Sequence, residues 1–298
     1  MDVAITGSTG LIGSALVADL EADGHRVARL VRPSSSAVDG ETITWDPSAG
    51  TIDAAALEGI DALVHLAGEG IESRRWTAEQ KTRILESRTR STDMLATTID
   101  ALRQPPSVWV SGSAIGYYGD RGDDVLDEAE PPATDFLADV CRQWEAAART
   151  DADTRIAHVR TGIVLAAHGG ALRPLLPFFR LGLGGRNGDG SQYWSWISLT
   201  DEIAAIRHII DSDLEGPVNL TAPEPVTNAE FAKALGRALG RPTVLPTPRV
   251  ALDLRLGREL AEALVYTSAR VQPRALLDSG FVFAHTTIDA ALRDALEK

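Results

Sequence analysis

A glycine-rich segment near the N-terminus constrains this chain more than any other feature. It reads Thr6-Gly-Ser-Thr-Gly-Leu-Ile-Gly13, and it lies between an apolar strand, Val3–Thr6, and a helix predicted over Ser14–Ala22. A loop with this glycine spacing that follows a strand and opens a helix is typical of a dinucleotide phosphate site. The alternative is a glycine-rich turn that binds nothing.

Each glycine of this loop has a separate task in such a site. Gly7 permits the tight turn, Gly10 lets the backbone approach a pyrophosphate, and Gly13 lets the helix pack closely on the strand. The first backbone N–H groups of the helix then face the phosphates, and the helix dipole favours their negative charge. The predicted contacts are Gly7, Ser8, Thr9, Gly10, Leu11, Ile12 and Gly13.

The end of the second predicted strand indicates which dinucleotide is bound. An NAD site usually places Asp or Glu there, to bind the ribose hydroxyls. This chain has Arg32 instead, followed by Pro33 and Ser34. A guanidinium is suited to a 2′-phosphate, so the sequence favours NADP over NAD. A surface arginine without a ligand is the alternative.

Strand and helix patterns alternate along the first half of the chain, which predicts an α/β fold: a doubly wound parallel Rossmann sheet with a smaller C-terminal substrate lobe. After the first strand and helix, the predicted strands are Arg26–Val31, Thr42–Trp45, Ala62–Leu66, Val108–Ser111, Arg155–Val159 and Val218–Leu220. The predicted helices are Ala54–Leu57, Ala78–Ala101, Asp135–Thr150, Thr200–Asp211 and a helix through Leu239 that a capping box at Thr227 and Glu230 opens.

The pattern changes after Ile163, where a glycine-rich and then aromatic stretch follows. We therefore expect residues 1–165 to form the NADP-binding core, with 196–215 returning to it. Residues 166–195 and 216–298 are expected to form the substrate-binding lobe, including a C-terminal helical domain. The ligand is expected at the carboxyl ends of the strands, between core and lobe.

Composition excludes several classes of protein. The net charge is −13 and no run of bases occurs, so we expect no nucleic-acid partner. No apolar run is long enough to span a membrane, and no leader pattern opens the chain, so we expect no membrane partner and a cytoplasmic location. Cys141 is the only cysteine, which fits a reducing compartment. The six histidines are scattered without ligand-like spacing, so no metal site is expected.

Several motifs together resemble the extended and atypical short-chain dehydrogenase/reductase superfamily, in its sugar-nucleotide epimerase-like branch. They are the glycine loop, Val64–Gly68, Val110–Gly119, Val159–Val164 and Trp196–Asp201. The resemblance implies that Val64–Gly68 lies beside the adenine and ribose and that Val159–Val164 lines the nicotinamide. It adds these cofactor residues: His65, Leu66, Ala67, Gly68, Glu69, Arg88 and Ile163. A solvated helix face is the alternative for Arg88.

Further segments resemble one group of that branch, the "epimerase family protein" group with a C-terminal domain of unknown function. They are Gly68-Glu69 with Arg74–Trp76, Gly116–Gly122, Arg180–Gly185, Ala222–Phe231 and Arg270–Phe281. The resemblance covers essentially the whole chain. It implies NADP and a small-molecule substrate that is generally unassigned. By analogy with many relatives, it also allows a homodimer formed through two core helices.

The chain departs from the superfamily at its catalytic pair. The usual catalyst is a Tyr with a Lys four residues later, where the Lys lowers the pKa of the phenol. With Glu145 as the anchor for a Glu that often follows, Cys141 falls at the Lys position and Leu137 at the Tyr position. Neither side chain can perform that task, and no Tyr-x-x-x-Lys occurs in the chain.

A relocated catalytic site is predicted from Ser113, Tyr117 and Tyr118. By resemblance, Ser113 is placed to polarise a carbonyl or hydroxyl, and either tyrosine is placed to supply a proton. Arg74, Arg75 and Arg88 are the candidate neighbouring cations. A plain hydrogen-bonding role for Ser113, and packing or substrate lining for the tyrosines, are the alternatives.

Three further residues, Arg180, Trp194 and Trp196, are predicted to contact substrate, with core packing of the lobe as the alternative for the tryptophans. Two functions remain open. The first is an NADP-dependent oxidoreductase or epimerase-like enzyme acting on a small polar substrate. The second is an NADP-binding sensor or regulatory protein that has lost catalysis.

Overall fold

An eight-stranded sheet forms the centre of the computed structural model, which describes residues 1–35 and 39–297. The strands of the chain are β1 Asp2–Thr6, β2 Arg26–Val31, β3 Glu41–Asp46, β4 Thr51–Ile52, β5 Ala62–His65, β6 Val108–Ala114, β7 Val125–Leu126, β8 Arg155–Thr161, β9 Ile163–Ala166, β10 Gly169–Gly170, β11 Tyr193–Trp194, β12 Trp196–Ser198, β13 Gly216–Leu220, β14 Val226–Thr227 and β15 Arg270–Val271.

Helices follow most of these strands. They are α1 Leu11–Ala22, α2 Ala78–Ala101, α3 Phe136–Ala147, α4 Leu176–Arg180, α5 Leu199–Asp211, α6 Asn228–Leu239, α7 Arg249–Leu256, α8 Arg258–Ala261, α9 Arg274–Asp278 and α10 Ile288–Glu297. Short 3₁₀ turns lie at Ala54–Leu57 and Ile115–Tyr118, and a π-helical turn lies at Glu262–Tyr266. Among the described residues, no helix is long and apolar enough to cross a membrane.

The order of strands confirms the predicted doubly wound fold. It is β13-β8-β6-β5-β1-β2-β3-β4, and every neighbouring pair is parallel except β3 and β4. One face of the sheet packs on α1 and α5 through a cluster that includes Val3, Leu16 and Ile206. The other face packs on α2 through a cluster that includes Leu63 and Leu95.

The order of strands reverses between β1 and β5, which are neighbours in the sheet although β2 to β4 separate them in the chain. Thr6 is the register partner of His65 at the carboxyl ends of these two strands. In open α/β sheets, ligands bind outside the strand ends at such a reversal. The fold therefore places the glycine loop at the expected binding crevice.

Two central strands are longer than the sequence predicts. β6 and β8 pair over seven residues, from Val108 with Arg155 to Ala114 with Thr161. The local pattern predicts that these strands end at Ser111 and Val159, because the residues that follow include polar ones that are not typical of a buried strand. Pairing between the strands extends both, and this extension brings Ser113 beside residue 160.

The sequence analysis expects the lobe from residue 216 onward. Residues 216–220 form β13, which pairs in parallel with β8 as the edge of the central sheet. Beyond them a second cluster forms around Phe231, Leu235 and Leu292, on α6 and α10. Thr227 and Glu230 form the predicted capping box at the start of α6.

Candidate functional site

The glycine loop closes tightly against the end of β5. Gly7 has φ +68°, a conformation that side chains rarely adopt, and a Cβ there would lie 2.9 Å from the carbonyl carbon of Leu66. A Cβ on Gly13 would lie 2.2 Å from the carbonyl oxygen of Gly7, so α1 rests directly on the loop. Gly10 is exposed, and a Cβ there meets nothing closer than 3.3 Å. Gly10 is thus the open side of the loop.

The start of α1 has the donor set that an anion needs. Gly10 is the N-cap and has no side chain, so no cap bonds the first backbone N–H groups. The first turn contains no acidic residue to compete for them. Uncapped N–H groups at a helix start, aligned with the helix dipole, are suited to phosphate oxygens. These residues fit the pyrophosphate of a dinucleotide.

Arg32 is an exposed residue just beyond the end of β2, which is the neighbour of β1 in the sheet. Within residues 1–35 and 39–297, its guanidinium forms no ion pair or hydrogen bond, although most arginines at this sheet's edge do: Arg26 binds Asp2 and Glu41, and Arg29 binds Glu21. The guanidinium of Arg32 is therefore available to an anion beside the loop.

Behind the loop, His65 holds the strand ends together. It is fully buried, and its Nδ1 lies 2.7 Å from the hydroxyl of Thr6, which also accepts hydrogen bonds from the N–H groups of Leu66 and Ala67. On its other side, Nε2 lies 3.0 Å from the hydroxyl of Thr92. Burial lowers the pKa of His65 to about 3, with a smaller effect from the charge of Arg88. A neutral His65 therefore supports the site from beneath and has no surface open to a ligand.

Arg88 reaches the same strand end from α2. Its Nη1 donates to the carbonyl oxygens of Glu69 (3.0 Å) and Ile84 (2.9 Å), and its guanidinium lies 5.0 Å from the ring centre of Trp144. Burial lowers its pKa, although neighbouring acidic groups oppose that effect. In the described part of the chain no carboxylate lies within 4 Å of it. Arg88 thus points inward at Gly68, which removes the alternative of a solvated helix face.

A second group of polar side chains meets at the ends of β6 and β8. Ser113 donates to Oε1 of Glu145 at 2.7 Å, and Glu145 receives two hydrogen bonds from Arg160, at 2.8 and 2.9 Å. Ser113 and Arg160 are register partners on adjacent strands, while Glu145 comes from α3. The side chain of Arg160 is 3% exposed and that of Glu145 13%. This is a buried, bidentate ion pair with a serine attached.

The tyrosine pair surrounds the same arginine. Nη1 of Arg160 donates to the hydroxyl of Tyr118 at 2.9 Å, and that hydroxyl donates to Oδ1 of Asn219 at 2.7 Å. The guanidinium also lies 3.5 Å from the ring centre of Tyr117. Burial acts against the charge of Arg160, but its bonds to Glu145 outweigh this and raise its pKa.

The two tyrosines differ in their surroundings. Tyr118 is fully buried, and burial raises its pKa to about 12, against the opposing charge of Arg160. Its hydroxyl keeps its proton and is occupied by hydrogen bonds to Arg160 and Asn219, so the role that fits Tyr118 is packing in the core. Tyr117 is half-buried, and its hydroxyl has no hydrogen-bond partner among the described residues. Of these two tyrosines, Tyr117 is therefore the one whose phenol is open to a ligand in the described structure.

Arg160 is a candidate site residue that the sequence motifs do not indicate. The sequence offers Arg74, Arg75 and Arg88 as the cation near the tyrosines, but the first two lie exposed and the third lies at Gly68. The sequence signal is a charged residue directly after the apolar Val159: in β8, Arg155–Thr161, both of these residues are buried. A buried base must be paired, and Glu145 was already singled out.

A family model described as the "NAD dependent epimerase/dehydratase family" matches residues 3–220. The chain belongs to this family. A second model, "Domain of unknown function (DUF1731)", matches residues 247–295. Both matches agree with the resemblance given by the sequence motifs.

Members with similar sequences cover the chain from end to end. The Mycobacterium bovis protein named "Epimerase family protein Mb2239" is 45% identical over 294 residues, which are 97% of this chain and 96% of that protein. Among solved structures, human epimerase family protein SDR39U1, determined with NADPH, has a TM-score of 0.91 and 37% identity, and the match covers 100% of this chain and 99% of that one. The agreement of the folds confirms the Rossmann architecture.

In this epimerase/dehydratase family member, α3 carries no catalytic pair. Cys141 is buried, its thiol lies 3.6 Å from the carbonyl oxygen of Ala114, and burial raises its pKa to about 11. The Cys141 thiol therefore keeps its proton, and a cysteine carries no positive charge in either protonation state. Leu137, which is on the same helix as Cys141, lies against Gly116 of the preceding 3₁₀ turn. The only cation in contact with the tyrosines comes instead from β8, in the part of the chain that the structure describes.

The three predicted substrate residues do not come together. Trp194 and Trp196 are buried (6% and 0% exposed) in the cluster around Phe231, and Nε1 of Trp196 donates to the carbonyl oxygen of Glu224. Core packing therefore describes both tryptophans. Arg180 is exposed at the end of α4, and nothing in the described ranges joins it to Ser113 or Tyr117.

Proposed function

We propose that this protein binds NADPH and uses it to reduce a carbonyl group of a small polar substrate. The observation that carries the cofactor is the uncapped start of α1 behind the open Gly10, with the guanidinium of Arg32 at the next strand end, unpaired within residues 1–35 and 39–297. The NADPH-bound structure of the human relative supports the same choice. Arg88, directed at Gly68 without an acidic partner within 4 Å in the described chain, supplies a second positive charge.

The chain's own residues supply the proton side of this reaction. NADPH supplies a hydride to the carbonyl carbon when it is bound. Tyr117 gives its phenol proton to the carbonyl oxygen, and the phenolate that remains is stabilised by the guanidinium of Arg160, 3.5 Å from its ring centre. Ser113 donates its hydrogen bond to Glu145, so its oxygen can accept a hydrogen bond from a hydroxyl group of the substrate.

The division of the chain is part of this proposal. Residues 1–165, with 196–215 and the edge strand 216–220, hold the cofactor, and the segments 166–195 and 221–298 cover the substrate side. The second cluster, on α6 and α10, supports a separately packed lobe. We propose that Arg180, on the exposed side of that lobe, meets substrate only if the substrate extends well beyond Ser113.

Cofactor binding is tested by calorimetric titration of the wild type with NADPH and NADH, at low and high salt. Charge-assisted hydrogen bonds contribute about 1.5–3 kcal/mol each, so Arg32→Asp should weaken NADPH binding at least ten-fold and change NADH binding much less. The matched control is Arg83→Asp, an exposed arginine on α2. Equal losses for both nucleotides, or a loss with Arg83→Asp as well, would remove the 2′-phosphate argument.

Catalysis is tested by following NADPH consumption with a panel of carbonyl compounds and sugar nucleotides. Tyr117→Phe removes the proposed acid and should slow turnover about 10²- to 10⁴-fold at unchanged NADPH affinity. Tyr118→Phe, the control, should cost only a few-fold, because that phenol is buried. Equal effects of the two changes would refute the assignment.

The absence of an ionisable pair at Leu137 and Cys141 favours a second candidate, a cofactor-binding sensor or regulatory protein. It predicts tight NADPH binding with no consumption of NADPH by any member of the panel. A change in a partner interaction between NADPH and NADP⁺ would then support it, while measurable turnover that depends on Tyr117 would exclude it.

A further inference from the structure

Positive charge is concentrated in two short stretches of this acidic chain, residues 173–186 and 233–258. Together they contain nine bases and one acid, Asp253, which is a net charge of +8. Because the whole chain carries −13, the remaining 258 residues carry −21. The bases within each stretch are separated by other residues, so the sequence shows no continuous run of bases.

The fold joins the two stretches into one surface, which we name the basic apolar face. The backbone N–H of Thr247 donates to the carbonyl oxygen of Arg186 at 2.8 Å. The guanidinium of Arg255, on α7, lies 5.7 Å from the ring centre of Phe178, on α4. All nine bases are exposed. Arg237 and Arg249 pair with acidic residues, and the other seven form no ion pair within the described ranges.

The same face concentrates exposed apolar side chains. In the described part of the chain, eleven large apolar side chains are exposed, and seven of them lie in these two stretches. The most exposed are Val244 at 79%, Val250 at 77%, and Leu181 and Leu254 at 74% each. Val250 and Leu254 are four residues apart on α7, so they lie on one side of that helix. Clustered exposure of this kind marks an interaction surface rather than ordinary scattered residues.

We propose that the basic apolar face docks the protein on an anionic lipid surface. Aliphatic side chains on an exposed helix, flanked by arginines, are suited to insertion at the level of the headgroups. Unpaired bases attract anionic lipids, and the −21 on the remainder of the chain orients the molecule with this face toward the membrane. The expectation of no membrane partner rested on the lack of a spanning segment, and surface docking requires none.

Two other occupants fit this face less well. Single-stranded nucleic acid is bound by stacking of bases on aromatic side chains, and Phe178 is the only exposed aromatic among the seven apolar residues. A second copy of the chain would bring together two faces that each have seven bases without an ion pair in the described ranges, and like charges repel.

The test is co-sedimentation of the full-length protein with two kinds of vesicle, at low and at physiological salt. One kind is phosphatidylcholine alone, and the other also contains about 30% phosphatidylserine as the anionic lipid. We expect binding only to the anionic vesicles, weakened by salt. Each base near a membrane contributes about 1 kcal/mol, so Arg241→Gln with Arg255→Gln should weaken binding roughly 30-fold. Val244→Asp with Val250→Asp should abolish it.

Two control variants keep the test decisive. Val282→Asp changes an 85% exposed valine outside the face, and Arg83→Gln removes an exposed base elsewhere. Both should bind vesicles like the wild type, and the thermal midpoint of every variant establishes that it is folded. No binding to anionic vesicles at low salt, or equal losses with the controls, would overturn the proposal. So would binding to single-stranded DNA in place of vesicles, or self-association that Val244→Asp removes.

Discussion

Breaking the buried ion pair between Glu145 and Arg160 should destabilise this protein far more than an ordinary salt bridge would. The guanidinium of Arg160 is 3% exposed and is bound by both carboxylate oxygens at 2.8 and 2.9 Å. Glu145→Gln keeps the shape of the side chain but leaves a buried positive charge without its counter-charge. Removing one partner of a buried pair costs about 3–5 kcal/mol, so we expect a loss of that size.

The assay is urea unfolding of Glu145→Gln, Arg160→Met and the double variant, followed by circular dichroism. Each single change should lower the free energy of unfolding by about 3–5 kcal/mol, while the double change should cost little more than one of them, because no unpaired charge is left. The pair Arg274–Asp278 is the control, since its oxygen and nitrogen also lie 2.9 Å apart but both side chains are about two-thirds exposed.

Two outcomes would refute this reasoning. Additive losses in the double variant would show that the two side chains are not coupled. A loss below about 1 kcal/mol for Glu145→Gln, the range of surface pairs, would show that water reaches Arg160. Asp278→Asn should leave the unfolding midpoint unchanged, and a shift there as large as that of Glu145→Gln would show that burial is not the cause.

Two further predictions concern the loop and the core. Gly10→Asp should abolish NADPH binding in calorimetry, because a carboxylate would face the pyrophosphate. The control is Ala18→Asp, an exposed position further along α1, which should leave NADPH binding intact. Normal binding by Gly10→Asp would show that the phosphates lie elsewhere. Burial raises the pKa of Glu202, whose Oε1 accepts from Thr161, to about 8. The folded state therefore holds this proton more strongly than the unfolded state. The stabilisation that this proton provides is complete below about pH 4.5 and is lost as the pH rises toward 8. The expected loss in the free energy of unfolding between pH 5 and pH 8 is roughly 4 kcal/mol. Glu202→Gln should remove that part of the pH dependence in urea unfolding, and an identical slope in both proteins would contradict a neutral buried carboxyl.

Elements with a strong local signal were predictable from sequence. The strand Arg26–Val31 and the helix Ala78–Ala101 have the predicted bounds, because the apolar residues of the one and the N-cap Thr77 of the other are local properties. The capping box at Thr227 was likewise visible in four consecutive residues. In each case the residues that decide the structure are neighbours in the chain.

What the sequence could not give depends on contacts between distant residues. The extension of β6 beyond Ser111 follows from pairing with β8, forty-seven positions away by register. The helix predicted to reach Thr150 ends at Ala147, where the carboxylate of Asp100 accepts hydrogen bonds from Thr150 and the N–H of Asp151. The basic apolar face is similar, since it exists only once two stretches that are separated by 46 residues of the chain are packed together.

The position of the cation decides what the candidate active site requires. Neither Leu137 nor Cys141 supplies positive charge at its position on α3, and the arginine of that helix, Arg142, is exposed and paired with Asp139. The positive charge beside Ser113 comes instead from Arg160 on the neighbouring strand. A strand position in the sheet interior is buried, so the arginine cannot stand alone, and Glu145 is needed to neutralise it. The same carboxylate then holds Ser113. Glu145 is therefore a positioning residue for both groups, and its loss should reduce activity and stability together. Ser113→Ala should reduce activity but cost only about 1 kcal/mol of stability in urea unfolding, because it removes one buried hydrogen bond and leaves the ion pair intact.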